Sequence, residues 1–349
     1  MNNQNNNQGM QKRMLLMTVI VFAMFLAYEF LVIRPKEEQR LKDQQALQKN
    51  QKVTQKQTPG IASDVKNAPN AVNSIETGMN IPSNKGISPK NIVSTIKTEK
   101  SIIEIDTLGR VAQVTLLEKQ YIDEDAKHIK LFDAEQLRPL EVRFSNRNIN
   151  EEAFKVQVVA SAANVDASKS AQKVTFTQKL TDTSVIKTLT VYPDGHYDID
   201  IQTTTQQEFF VTPGFRPNVL VDMYAEHGVM IRRNDGTNEI TTDEDLDKSV
   251  NYTNVTFASA FDRYYATVLY SIDTPLSVSL MPDKDTNPQA FVHGKDNLKL
   301  SGYFGPKEFN TLKALHPVLT DVIEYGFFTF LAKPMFTFLQ FLHTYIGNW

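Results

Sequence analysis

The sequence contains no cysteine and has no excess of basic residues. Without thiols the chain can form neither disulfides nor thiolate metal sites, although this absence does not assign a compartment. Its 37 Lys and Arg residues are balanced by 40 Asp and Glu residues, which gives a net charge of −3. Basic stretches interleaved with aromatic residues are also missing, so the composition argues against a nucleic-acid-binding protein.

Sequence signatures of catalysis and metal binding are missing as well. The chain has neither a glycine-rich phosphate loop nor a Gly-x-Ser-x-Gly nucleophile elbow. The acidic run at 243–247 lacks the glycine and the distal glutamate of a calcium loop, which favours a solvated loop. We therefore predict that the chain is not an enzyme and has no catalytic residue, cofactor or metal. The histidines lie in no metal-ligand spacing, and we expect surface or packing roles for all six: His128, His196, His227, His293, His316 and His343.

The first strong feature of the chain is an apolar run at 14–33. It is interrupted only by Thr18 and Glu29, and as a helix it would span about 30 Å of hydrocarbon. The run ends without the small-residue cleavage site of a secretory signal peptide, so we predict an uncleaved transmembrane anchor. Residues 1–13, which carry two basic residues before the run, are expected to stay in the cytoplasm.

A polar segment at 34–97 follows the anchor. It is rich in Gln, Lys, Asn, Ser and Pro and contains only isolated aliphatic residues. Such a composition cannot bury enough apolar surface to offset the entropy of ordering the chain. We predict a disordered tether that holds a domain away from the membrane.

The hydrophobic period becomes two in the segment at 98–320, as is typical of half-buried strands. Turns are predicted at Pro193-Asp194-Gly195 and at Asn234-Asp235-Gly236. This pattern predicts a mainly β domain, a large antiparallel sandwich, closed by a short helix between Pro306 and His316. The predicted strands are Ile103–Asp106, Val111–Leu116, Leu140–Phe144, Phe154–Ala160, Lys173–Gln178, Val185–Tyr192, Tyr197–Thr203, Val219–Tyr224, Val229–Ile231, Asn254–Phe257, Tyr264–Tyr270, Leu276–Leu280 and Leu298–Tyr303.

The stretch at 321–349 is apolar and rich in aromatic residues. In a helix, Lys333, Thr337, Gln340 and Thr344 would form a narrow polar stripe beside a broad apolar face. This pattern predicts an amphipathic helix in a membrane interface, and the alternative is a core helix of the preceding domain. The side chains expected in the interface are Phe327, Phe328, Phe330, Leu331, Phe336, Phe338, Phe341, Tyr345 and Trp349.

The chain resembles the N-terminal part of the YidC membrane protein insertase family in its Gram-negative form. The order of anchor, tether and β domain is similar, and the most specific resemblance lies in the last 50 or so residues. Inside the β domain, the resemblance rests on Phe261-Asp262-Arg263-Tyr264-Tyr265-Ala266 and Gly302-Tyr303-Phe304-Gly305-Pro306-Lys307. In the ending, it rests on Glu324-Tyr325-Gly326, Lys333-Pro334-Met335-Phe336 and Leu342-His343-Thr344-Tyr345-Ile346-Gly347-Asn348-Trp349.

This resemblance implies a component that assists the insertion and folding of inner-membrane proteins, alone or with the Sec translocon. It implies a periplasmic β-supersandwich, similar in fold to sugar mutarotases, in a protein of the cell inner membrane. The implied partners are nascent inner-membrane proteins, the Sec translocon with its accessory subunits, and the lipid bilayer. In the family, the insertion groove and its arginine lie in helices that follow the position of Trp349. We therefore expect this chain to supply the anchor and the periplasmic domain, and not the groove.

Two other functions stay open at this point. A mutarotase-like fold allows a carbohydrate-active or sugar-binding periplasmic domain, which would need a general acid and base facing one pocket. The residue types required are present as His196, His227, Glu226 and Glu239, but no pattern brings them together. A tethered periplasmic adaptor would use long coiled coils, and the sequence has no sustained heptads.

Overall fold

The computed structural model describes residues 91–123, 125–133, 136–219 and 226–323. The predicted N-terminus, the predicted anchor and most of the predicted tether lie outside the described residues. All the side chains predicted for a membrane interface, from Phe327 to Trp349, lie outside them too. In the part of the chain that is described, no helix is both long and apolar enough to cross a bilayer.

The described residues form a mainly β fold with two short α-helices and one 3-10 helix. The strands are β1 Ile92–Lys97, β2 Ser101–Asp106, β3 Val111–Leu116, β4 Val142–Phe144, β5 Val159–Ala160, β6 Asn164–Asp166, β7 Gln172–Lys179, β8 Ser184–Val191, β9 Tyr197–Thr203, β10 Glu208–Val211, β11 Gly228–Arg233, β12 Asn238–Thr242, β13 Val250–Phe261, β14 Tyr265–Tyr270, β15 Leu276–Pro282, β16 Pro288–Lys295 and β17 Asn297–Pro306. The helices are α1 Arg147–Ala153, α2 Phe309–Leu315 and the 3-10 helix Pro317–Val322.

Two sheets organise these strands. The small sheet has the order β3-β2-β1-β6, with β6 parallel to β1 and the other pairs antiparallel. The large sheet has the order β4-β10-β16-β15-β13-β14-β17-β9-β8-β7-β5, and β11 and β12 extend it from β13. The long strand β13 joins its two halves, because its first residues pair with β15 and its last residues pair with β14. The predicted mainly β fold with large antiparallel sheets is thereby confirmed.

Alternation along the strands decides which face of the large sheet is buried. In β8, Val185, Lys187, Leu189 and Val191 are buried, and the residues between them are partly exposed. Strand β9 repeats the pattern in register, so the inner face of both strands joins the main hydrophobic core. A sheet with one buried face and one accessible face is what alternating antiparallel strands predict. We call the side of β7, β8, β9, β17, β14, β13 and β11 that faces away from the main core the outer face.

Turn chemistry was predicted correctly at both sites where the sequence was explicit. The segment 193–195 connects β8 to β9, and Gly195 has a φ of 91°, which a side chain would disfavour. The segment 234–236 connects β11 to β12 with Gly236 at a φ of 96°.

Two strand or boundary predictions were wrong, and several strands were not predicted. The predicted tether, 34–97, runs too far, because Ile92–Lys97 is strand β1 and pairs with both β2 and β6. The apolar pattern of Ile92–Lys97 is short and surrounded by polar residues. Its strand conformation therefore depends on pairing with β2 and β6, which composition does not predict. The predicted strand Phe154–Ala160 is mostly a loop, and only Val159–Ala160 is strand. The loop follows helix α1, which is capped at its start by Asn146. Strands β6, β10, β12 and β16 were not predicted, and Val219 is the one residue of Val219–Tyr224 that is described.

Candidate functional surface

One part of the outer face is covered by the last described segment of the chain. Helix α2 and the 3-10 helix lie across the sheet, and Leu312, Leu319 and Val322 are each 0% exposed. These side chains pack in one apolar cluster with residues of β11, β13, β14 and β17: Met230, Phe257, Phe261, Ala266, Val268, Tyr270 and Tyr303. A helix lies where the sequence predicted one, and Leu312 is the residue of this helix that is fully buried. We call this part of the outer face the covered region.

Polar contacts hold this segment at both of its ends. At its start, the Tyr121 hydroxyl donates to Glu308 Oε1 over 2.5 Å. The pKa of Tyr121 is raised well above its usual range, mainly by burial and secondly by the hydrogen bond to Glu308. At the other end, Arg232 Nε lies 3.2 Å from Asp321 Oδ2. The position of this segment on the domain is therefore set by packing and by these two polar contacts.

The remaining part of the outer face is an open groove of about 730 Å³. Residues of four neighbouring strands form its floor, and the turn from Tyr270 to Thr274 forms one wall. The floor is polar, with hydroxyl, carboxylate and amine groups that point outward because they alternate with buried residues. The floor residues are Lys173, Thr175, Thr188, Thr190, Asp198, Asp200, Lys299 and Ser301.

Hydrogen bonds fix the carboxylates of this groove. Asp198 accepts from the Tyr192 hydroxyl over 2.8 Å and from the Ser301 hydroxyl over 2.6 Å. The hydrogen bond to Asp198 is the main reason that the pKa of Tyr192 is raised. Asp200 lies 3.6 Å from Lys299 Nζ. The groove thus offers ordered donors and acceptors of both charges, which suits binding better than acid–base chemistry.

Beneath the groove, a buried charge cluster joins the small sheet to the large one. Arg110 donates to Asp106 over 2.9 Å and to Glu141 over 2.8 Å, and Lys187 Nζ donates to the Gly109 carbonyl over 2.5 Å. Gly109 has a φ of 68°, and a Cβ there would lie 2.9 Å from the amine of Lys187. Burial lowers the pKa of Lys187 to about 8. The adjoining cavity of about 10 Å³ has room for about one water molecule, so the cluster is structural.

The histidines that are described have separate polar or packing contacts. His196 stacks on Tyr192 at 4.0 Å, and its Nδ1 lies 2.5 Å from Asp194. His293 Nε2 lies 2.7 Å from the Ser279 hydroxyl, and burial lowers the pKa of His293 to about 4. The Nδ1 atom of His316 accepts from the Val318 N–H over 3.3 Å and begins the 3-10 helix. His128 is exposed in an isolated β-bridge, and His343 lies outside the described residues.

The residue types that a mutarotase would need are not gathered in one pocket. His196 lies in the turn from β8 to β9, whereas His227 lies just before β11, with its Nδ1 atom 3.1 Å from Asp243 Oδ2. Glu239 lies on β12, 3.4 Å from Arg233. The acidic run at 243–247 begins with Asp243, which also accepts from Arg216 over 2.6 Å. Within the described ranges, no group of three potential metal ligands is found.

Sequence reasoning missed the groove. Its residues do show a signal, since threonine and aspartate occupy alternate positions of β7, β8 and β9. That signal marks an outward polar face on each strand, but not which strands are neighbours. Only the sheet order brings β17 beside β9 and so places Ser301 against Asp198.

Comparison with known proteins adds the family. The model of the YidC periplasmic domain matches residues 94–338. A protein of Campylobacter jejuni named "Membrane protein insertase YidC" is 39% identical over 99% of this chain and 63% of its own length. Proteins of the same name from Wolinella succinogenes and Helicobacter pylori (strain 26695) are 36% and 33% identical, over 98% and 100% of this chain and 62% and 64% of their own lengths. The chain thus spans less than two thirds of the length of these relatives.

Solved structures are more distant. The crystal structure of the periplasmic domain of the Thermotoga maritima YidC matches 66% of this chain and 96% of that chain, with 12% identity and a TM-score of 0.32. This score is too low to support an argument about the site. The family model, in contrast, matches more than half of the sequence, and its range includes nearly all the described strands and the covered region. The chain belongs to the YidC periplasmic domain family.

Proposed function

We propose that the chain is the anchor and periplasmic portion of a membrane protein insertase, which assists the insertion and folding of inner-membrane proteins. The observation that carries this proposal is the similarity to three relatives named as insertases along at least 98% of this chain. The mechanism at this portion is physical, through binding and positioning, and involves no covalent chemistry.

In this proposal, residues 14–33 anchor the chain with its N-terminus in the cytoplasm. The tether places the β domain in the periplasm. The stretch at 325–349 lies in the membrane interface through its aromatic face. The contacts of Leu312, Leu319 and Asp321 support this arrangement, because they hold the segment that precedes that stretch against the domain.

The partners in this proposal are nascent inner-membrane proteins and the Sec translocon with its accessory subunits. We assign the groove to the docking of an accessory subunit. It is accessible, and its hydroxyl and carboxylate groups are held in place by Tyr192, Ser301 and Lys299. Preorganised polar groups of both charges favour specific recognition of a folded partner.

The proposal is tested with a chimera in which this chain replaces the matching part of the Campylobacter jejuni insertase. We expect the chimera to restore growth and substrate insertion, measured by protease protection, in cells depleted of their own insertase. Failure of the correctly folded chimera to insert any substrate would overturn the proposal.

Two variants of the chimera test the interfacial stretch. Replacement of Phe336, Phe338 and Phe341 by Ser should lower insertion, because the apolar face no longer holds the stretch at the membrane. Replacement of Thr337 and Gln340 by Ala changes the polar stripe of the same helix and should have little effect. Equal insertion by both variants would remove the role of the aromatic face.

A further inference from the structure

The floor of the groove contains a row of side chains that crosses five strands. Strand pairing places Lys173, Thr190, Asp198, Ser301 and Tyr270 side by side on β7, β8, β9, β17 and β14. Because neighbouring strands lie about 4.8 Å apart, the backbones of Lys173 and Asp198 are about 10 Å apart. The cation and the anion of this row are thus two strands away from each other.

Asp198 has two hydroxyl partners and, among the residues that the structure describes, no Lys or Arg at ion-pair distance. The Ser301 hydroxyl donates to its Oδ1 over 2.6 Å, and the Tyr192 hydroxyl donates to its Oδ2 over 2.8 Å. Asp200, in the next row, differs because Lys299 Nζ lies 3.6 Å from it. A carboxylate offers about four acceptor sites, so both oxygens of Asp198 keep capacity for a further donor. Asp198 is therefore an oriented anion without an ionic partner in the described part of the fold.

The turn from β8 to β9 holds one of these hydroxyl donors in place. The rings of Tyr192 and His196 are stacked, with their centres 4.0 Å apart and an angle of 6° between their planes. His196 in turn contacts Asp194 through its Nδ1 atom, over 2.5 Å. Tyr192 is thus fixed on one side by the ring of His196 and at its hydroxyl by Asp198. A carboxylate that is held before its partner arrives loses little conformational freedom on binding.

An aromatic and an aliphatic side chain lie at the end of the row beside this carboxylate. Burial is the main cause that raises the pKa of Tyr270, and the charge of Asp198 raises it further, as expected for neighbours. Ile272 forms part of the groove wall and is 43% exposed. An aromatic ring attracts a nearby cation, and an exposed aliphatic wall can pack against the methylene stem of a long basic side chain.

We propose that the Asp198 end of the groove binds an arginine side chain of the docking partner. This inference rests on the proposed function, which assigns the groove to the docking of an accessory subunit. Charge complementarity identifies the occupant, because an oriented carboxylate without an ionic partner in the described fold is matched by a cation. Tyr270 and Ile272 add the aromatic and aliphatic contacts that the stem of such a side chain needs.

A guanidinium group matches this carboxylate better than the other cations do. It is planar, and its donors form a fork that binds both oxygens of a carboxylate at once. An ammonium group acts as a point charge and lacks this fork. A calcium ion needs six to eight oxygen ligands, whereas the described residues contain no group of three potential metal ligands. The geometry of Asp198 therefore favours arginine over lysine and over a metal ion.

The test uses the full chain in phosphatidylcholine nanodiscs, with empty nanodiscs as the background, and saturation-transfer difference NMR. The probe is N-acetyl-arginine methylamide. One reference is the citrulline compound, in which an uncharged urea replaces the guanidinium, and the other is the lysine compound. We expect the arginine compound to bind more tightly than both references, and added salt to weaken its binding. Equal affinities for the arginine and citrulline compounds, or for the arginine and lysine compounds, would overturn the proposal.

Matched substitutions of aspartate locate the binding site. Asp198→Asn should weaken binding of the arginine compound by about tenfold, because a hydrogen-bonded contact between charges is lost. The control Asp182→Asn removes the same charge from the turn between β7 and β8, where the side chain is exposed. This turn lies six residues of β8, or about 20 Å, from Thr190, so the control should bind as the unchanged chain does. Equal weakening by the two substitutions would overturn the proposal.

Substitutions of Thr190 test the role of charge while Asp198 stays in place. Thr190 is opposite Asp198 in the pairing of β8 with β9, so Thr190→Lys provides a cation of the chain itself beside the carboxylate. It should weaken binding of the arginine compound more than Thr190→Gln does, which adds a side chain of similar length without the charge. Equal affinities of the two variants would show that the charge at Asp198 does not decide binding and would overturn the proposal.

Cross-linking in the insertase chimera separates this inference from the proposed function. Asp198→Asn should reduce cross-linking to a Sec accessory subunit, and Asp182→Asn should not. If the double variant Thr188→Lys/Thr190→Lys loses cross-linking while Asp198→Asn keeps it, the groove docks its partner without an arginine and only this inference is overturned. If the chimera inserts no substrate, the proposed function fails, and binding of the arginine compound to the chain still supports the site.

Discussion

The covered region and the groove use the same face of the same strands in opposite ways. On β17, Tyr303 belongs to the apolar cluster under the 3-10 helix and α2, whereas Ser301, two residues earlier on the same face, lines the groove. Tyr270 of β14 belongs to both regions. The face is thus apolar where the chain covers it with its own segment and polar where it stays open. The segment of α2 and the 3-10 helix is therefore part of the fold, while the groove is available to a partner.

The largest expected effect is the loss of a side chain from the covered region. Leu312→Ala removes a fully buried leucine and should lower the free energy of unfolding by about 2–5 kcal/mol. The control Thr188→Ala changes a partly exposed floor residue of the groove and should change it by less than about 0.5 kcal/mol. Both values are measured by denaturant unfolding of the chain. Similar values for the two variants would contradict the distinction between the regions.

The second effect concerns the support beneath the groove. Burial lowers the pKa of Lys187 to about 8, from 10.5. The folded state then binds this proton less tightly than the unfolded state does. Stability should therefore rise as the pH increases from about 8 to 10.5, by up to about 3 kcal/mol from this group. Lys187→Met should remove that contribution. If the free energy of unfolding changes with pH equally in the unchanged chain and in Lys187→Met, the Lys187 amine does not have the lowered pKa.

A third comparison uses two tyrosines that donate to carboxylates, one in each region. Tyr121→Phe removes the contact with Glu308 at the start of the covering segment and should cost about 1 kcal/mol of unfolding free energy. Tyr192→Phe removes the contact with Asp198 at the groove and should cost less than about 0.5 kcal/mol.

The pH dependence of the Tyr121 contribution has a defined sign. The pKa of Tyr121 is raised above its usual value of 10, so the folded state holds the phenolic proton more tightly. The stabilisation is complete below pH 10 and decreases above it. The cost of Tyr121→Phe should shrink in that range. A cost that grows above pH 10 would contradict the burial of the phenol.

The smallest effect on stability is expected for lysine substitutions in the groove, and the same substitutions should have the largest effect on binding of a partner there. Substitution of Thr188 and Thr190 by Lys should change the unfolding free energy by less than about 0.5 kcal/mol each, because both side chains lie on the outer face. In the insertase chimera, the same change should reduce cross-linking to a Sec accessory subunit. Unchanged cross-linking would remove the groove as the docking surface.

Sequence patterns predicted the elements of the fold much better than their arrangement. The alternation of β8 and β9 and the glycine turn between them were predicted because each depends on a few consecutive residues. Strand β1 was missed because Ile92–Lys97 is too short and too polar in its surroundings to stand out. Its conformation is stabilised by pairing with β2 and with β6, which is far away in the sequence.

The candidate surfaces were less predictable still. The conspicuous aromatic residues of the sequence, from Phe327 to Trp349, stay a prediction for a membrane interface. The groove was not predicted. It combines residues of segments that are distant in sequence, such as Asp198 with Ser301.

By itself, the sequence determined the absence of disulfides, the balanced charge, the period-two segments and the strong turns. These follow from composition or from a few neighbouring residues, where steric and hydrophobic preferences act locally. The tertiary structure alone decided that α2 and the 3-10 helix cover one part of the outer face and leave the rest as a groove. That division depends on the order of the strands in the large sheet and on contacts such as Arg232 with Asp321. Contacts of this kind form only after distant segments have paired.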